Sequence, residues 1–119
     1  MYYILRDGKP VAAELLEWAA FFENPDNRRI DLTVVSDVEI STVFVGIDQG
    51  FVKGAAPLLF ETRVFGGDNE HLFWRYSTIE KAKEGHLAAV ELVRNAIAEK
   101  SNSQKPATTG VSDADDDCD

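Results

Sequence analysis

The chain reads as a two-layer α+β domain, with an antiparallel meander sheet of about five strands and two helices packed on one face. Three observations predict it. Strand-like stretches recur consecutively over 29–76, broken by turns rich in Gly, Asp, Asn and Ser. Apolar residues at helical spacing flank that block on both sides, over 10–22 and 79–99. Short connections between successive strands favour antiparallel neighbours, which leaves the two helices free to share one face.

Taken in order, Tyr2, Tyr3, Ile4 and Leu5 form a short apolar run ended by Arg6, Asp7 and Gly8, a first strand closed by a turn. Pro10 suits a first helical turn, and Val11, Leu15, Trp18 and Phe22 recur at helical spacing, with Ala12, Leu16 and Ala19 broadening the stripe. A helix is therefore expected over 10–22, stopped by Asn24, Pro25, Asp26 and Asn27. Ile30, Leu32 and Val34 then alternate with Arg29, Asp31 and Thr33, and Ser36-Asp37 turns the chain into a central strand over 41–47. There Val43, Val45 and Ile47 oppose Thr42, Phe44 and Gly46, so β-branched and aromatic residues dominate both faces. In the next strand Leu58, Phe60, Thr62 and Val64 share one face, with Leu59, Glu61, Arg63 and Phe65 on the other. Gly66, Gly67, Asp68 and Asn69 turn the chain into a strand over 71–76. Ser77, Thr78, Ile79 and Glu80 then spell a capping box for a helix whose inner face carries Ile79, Ala82, His86, Ala89, Val90, Val93 and Ile97.

At 119 residues the chain supports one domain, expected over 1–100, followed by a disordered acidic tail over 101–119. Five of the 21 acidic residues and one of the 12 basic residues fall in that tail, leaving residues 1–100 at −5, an ordinary acidic surface. No basic stripe accompanies Trp18, Trp74, Phe22 or Phe73, which read as core, so direct nucleic-acid binding is not expected. No run is long enough to cross a membrane and the start lacks the order of a signal peptide, so a cytoplasmic protein is the default reading. The single cysteine, Cys118, permits no internal disulfide and no cysteine-rich zinc site.

Chemistry-bearing residues are few. His86 lies among apolar helix positions and reads as a neutral core histidine bonded to backbone or a tyrosine; His71 reads as a turn residue. Their spacing offers no metal site, and no cofactor is expected. The loop 48–57 is about twice the usual hairpin connection of roughly 2 to 5 residues, which points to function rather than mere reversal. It lacks the GxxxxGK[ST] spacing, and a strand follows it, so it is no phosphate cradle. An enzyme or nucleotide-binding protein would need Asp48, Glu61, Arg63 and His86 gathered at this loop.

The runs STVFVGIDQGF, PLLFETRVFGG and WRYSTIEKAKEGH, covering 41–86, resemble a family of small proteins of tailed bacteriophages and prophages. In that family the pattern looks like STVFLGxD, a glycine-rich loop, PPLLFETxVFGG, a WRY strand and a TWxEAxxGH helix start. Here Ala56 stands for the first proline and Ile79 for the tryptophan, and Val52-Lys53 interrupts the glycine run. The resemblance implies a phage-encoded accessory protein in the host cytoplasm, and brings no catalytic residue with it. Two readings follow. The first is a non-enzymatic module that binds a host or phage protein, through the loop around Phe51 and Val52 and the strand face carrying Val43, Val45 and Ile47, or that pairs with itself as a homodimer. The second is the small enzyme with its site near loop 48–57.

Overall fold

In the computed structural model, which describes residues 1–50 and 54–104, the order is β1 (Tyr2–Arg6), β2 (Lys9–Ala13), α1 (Leu15–Phe22), β3 (Arg29–Val35), β4 (Val38–Phe44), β5 (Phe60–Phe65), β6 (Phe73–Tyr76) and α2 (Ile79–Gln104). The α+β class holds, but the strands form two antiparallel sheets rather than one. β3-β4-β5-β6 is a four-stranded meander, and β1-β2 is a separate hairpin.

The hairpin corrects the expected first helix, which starts only at Leu15. Asp7 and Gly8 both take positive φ, 54° and 77°, the two-residue turn whose twist suits antiparallel strands. Once that turn forms, Pro10 faces Leu5 and Val11 faces Ile4 across the ladder, so both become strand residues. The 3-10 turn Pro25–Asn27 then separates α1 from β3, with the Asn24 side chain accepting the Asp26 N–H.

In the meander, β4 starts three residues earlier than the apolar run implied, at Val38, and its inner face carries Val38, Ile40, Thr42 and Phe44, all buried. Phe60, Thr62 and Val64 of β5 lie on the same inner side, as their alternation required. Only α2 spans all four strands, while α1 packs on β1 of the hairpin, so one helix rather than the expected two lies on the face of the meander. Ala82, Ala89, Val90 and Val93 of α2 are buried against the strands, in the stripe read from the sequence. The N-terminal cap is Thr78, whose Oγ1 accepts the Lys81 N–H at 3.2 Å, rather than Ser77.

The hairpin and α1 close the end of the meander. Tyr3 N–H donates to the Gly46 carbonyl at 2.8 Å, and Phe21 and Phe22 reach Phe44 at ring-centroid distances of 6.1 and 5.9 Å. Gly46 makes this approach feasible: at φ 71° a Cβ there would stand 2.6 Å from Trp18 Nε1 and Phe22 Cζ. Two apolar clusters result. One gathers Phe44, Leu59, Phe60 and Ala82 with the aromatics of α1 and β1; the other gathers Val38, Ile40, Val64, Ala89, Val90 and Val93.

Candidate functional site

Between those two clusters lies a buried polar chain. Thr42 and Thr62, directly opposite each other on β4 and β5, share a hydroxyl hydrogen bond of 2.5 Å, and both are fully buried. Thr42 Oγ1 also meets His86 Nδ1 at 2.7 Å, and Thr33 Oγ1 meets Nε2 at 2.9 Å. The Tyr76 hydroxyl bonds Thr62, so each strand of the meander supplies one hydroxyl beneath α2. Tyr76 lies directly over Gly85, where any Cβ would collide with its ring and hydroxyl. A neutral imidazole donates from one nitrogen and accepts at the other, so Thr33 and Thr42 take opposite roles.

Burial holds the His86 pKa below the usual histidine value, and the Asp31 carboxylate, 3.8 Å from Nε2, opposes it only in part. Burial likewise raises the Tyr76 pKa, against the opposing bond to Thr62. With both ring nitrogens bonded and no solvent exposure, His86 has no lone pair or proton to offer a substrate. It is the neutral core histidine the sequence suggested, but its partners are threonines rather than backbone or tyrosine.

The four polar residues of the enzyme reading do not converge. Glu61 neighbours Thr62 along β5 and therefore points to the opposite side of the sheet from His86. There its Oε2 accepts from Arg63 Nε at 3.0 Å and lies 3.8 Å from Arg75 Nε. Asp48 is occupied by its own loop, accepting the N–H groups of Gly50 at 2.9 Å and Leu58 at 2.8 Å; those two bonds lower its pKa. A cavity of about 260 Å³ lies at the other end of the sheet, between the two hairpin turns and α2, and none of the four lines it. Among the described residues no group of three or more His, Cys, Asp or Glu is placed to hold a metal ion, and no helix is long and apolar enough to cross a membrane.

Of the residues expected to meet a partner, Phe51 and Val52 lie outside the described residues. Val43 and Val45 are half-buried, and Ile47 is exposed. Two larger apolar surfaces are exposed, one not anticipated and the other the sheet face to which the expected Val43 belongs. The first is α1: none of its eight residues is buried, and Leu15 and Leu16 are 52% and 82% exposed, with Ala19 and Ala20 one turn on. Its inner aromatics anchor it, Trp18 stacking on Tyr2 at 5.0 Å and on Phe22 at 4.8 Å. Tyr2 in turn bridges to Ile47, which places Ile47 beside this helix. The second is the outer face of the meander, where Leu32, Val34, Phe65 and Phe73 are all exposed.

Comparison of the chain with protein-family models, with curated proteins and with solved structures returns no match. The functional reading therefore rests on these surfaces and on the motif resemblance.

Proposed function

We propose that the chain is a small phage-type accessory protein acting as a non-enzymatic binding module, which docks a host protein and thereby modulates a host factor or a host defence. The observation that carries this reading is α1. A surface helix is ordinarily polar on its outer side, whereas Leu15, Leu16, Ala19 and Ala20 turn apolar side chains outward here. Such a helix is held in place by its inner aromatics and left with an outer side suited to a second protein.

The rim gives the partner's chemistry. Glu14 and Glu23 stand at the two ends of the helix, both exposed, while Glu17 is joined to Arg6 at 3.2 Å. The docked segment would present an apolar strip flanked by Lys or Arg. The separation of Asp48, Glu61 with Arg63, and His86 onto three different parts of the molecule weighs against the enzyme reading.

The test is affinity capture from a bacterial lysate by the parent and by a Leu15→Asp/Leu16→Asp variant, each at low and high salt. Both leucines are exposed, so the variant should unfold within a few degrees of the parent. The expected result is a protein retained by the parent, released by salt and lost with the variant. Retention of every captured protein by the variant would remove α1 from the reading.

A further inference from the structure

The exposed strip of α1 has a direction and a charged end. Helical spacing lines up Leu16, Ala20 and Glu23 as i, i+4 and i+7, with Ala19 beside them and Leu15 on the border. Trp18 and Phe21 lie across the helix from this strip. Glu23 caps the C-terminus in helical conformation, φ −62° and ψ −32°, so two apolar turns end on a carboxylate. It is exposed, and among the described residues no ion pair or side-chain hydrogen bond holds it. The last turn of α1 carries no basic residue, so this carboxylate adds to the negative end of the helix.

We infer that the segment docked on α1 is itself an amphipathic α-helix, which crosses α1 at Ala19 and Ala20 and carries a Lys or Arg one turn beyond its apolar anchors to meet Glu23. This rests on α1 being the docking surface, and adds the fold of the docked segment and the place of its charge.

Two alternatives fail on the geometry. An extended segment needs a strand edge for its backbone groups, and none is open beside α1: β1 is paired with β2 on one side and bridged to Ile47 on the other. The free edge of β2 is interrupted by Pro10, which has no N–H to offer. Laid on alanines and leucines instead, an extended backbone keeps its polar groups unpaired, whereas a helix satisfies its own. A second copy of α1 supplies no base, because its ends are Glu14 and Glu23 and acid meets acid in either direction. The alanines favour a helix positively. Small side chains at the crossing let two helix axes approach to about 8 Å, with Leu15 and Leu16 as the ridge that fills the partner's groove. A contact of two turns is small, which places it among weak, reversible encounters.

The test pans two display libraries against the full chain, one with random residues on the surface of a helical scaffold and one of random extended peptides, each counter-selected on Leu15→Asp/Leu16→Asp. The expected binders come from the helical library and combine apolar residues at i, i+4 and i+7 with a Lys or Arg one turn beyond. Glu23→Lys should weaken them at least about 10-fold. Ala19→Leu/Ala20→Leu should also weaken them at least about 10-fold by holding the axes apart, although it adds apolar surface. All these positions are exposed, and circular dichroism should find every variant folded. Binders from the extended library alone overturn the inference. So do helical binders indifferent to Glu23→Lys, or binders that Ala19→Leu/Ala20→Leu strengthens as mere adhesion would. Lysate capture lost with Leu15→Asp/Leu16→Asp alongside extended binders sinks the helical inference alone; capture kept by that variant removes α1, and both readings with it.

Discussion

Thr42→Val is the substitution that most directly tests the buried polar chain. The change is nearly isosteric and removes two bonds, to Thr62 at 2.5 Å and to His86 at 2.7 Å. Each intramolecular hydrogen bond is worth about 0.5–1.5 kcal/mol net, and an imidazole nitrogen left unsatisfied away from water costs about 1–3 kcal/mol more. Thr62 keeps its bond to Tyr76, which limits the damage on that side. The expected destabilisation is about 2–4 kcal/mol, which for a domain of this size lowers Tm by about 10–20 °C. Urea unfolding followed by tryptophan fluorescence would measure it, with the urea dependence of ΔG unchanged because the surface exposed on unfolding is the same. His86→Leu in the same background removes the orphaned ring, so the double variant should lose less than the sum of the two single changes. Thr42→Val as stable as the parent, or strictly additive losses, would refute the coupled chain.

Two further outcomes follow from the same core. Because burial lowers the His86 pKa in the folded state, the unfolded chain binds its proton first; this contribution to stability is full above about pH 6.5 and is lost as pH falls from there toward the depressed folded value. Urea midpoints between pH 8 and pH 5 should fall with pH in the parent and lose that component in a folded His86→Leu variant. Gly46→Ala places a Cβ 2.6 Å from Trp18 and Phe22 at φ 71°, and should cost about 2–4 kcal/mol, read by thermal denaturation.

Much of the meander was legible because period-two alternation with short polar turns leaves few alternatives. β3 begins and ends where its pattern does, and the inner face of β5 and the stripe of α2 follow from spacing alone. The first helix misled because Val11 and Leu15 fit a helical period, while the Asp7-Gly8 dipeptide is the stronger local signal and fixes a hairpin. The Ser77-to-Glu80 pattern contained two adjacent hydroxyls, and only geometry selects Thr78. His86 could be placed in the core, but its partners come from β3 and β4, 53 and 44 residues away, so they become known only once strand pairing is. The outward side of α1 was obscured by treating every apolar position as core; Leu16 belongs to a helix too short and too peripheral to bury two sides.

The paired threonines also decide how β4 and β5 align. Sliding one strand by two residues would keep apolar side chains inward, because Ile40, Phe44, Phe60 and Val64 are interchangeable in kind. That slide would set Thr42 against Phe60 or Val64, and Thr62 against Phe44 or Ile40, stranding hydroxyls in a dry layer. Hydrophobicity alone cannot tell these alignments apart. One hydroxyl pair, read by the imidazole above it, supplies the penalty that separates the native alignment from its nearest misaligned competitors.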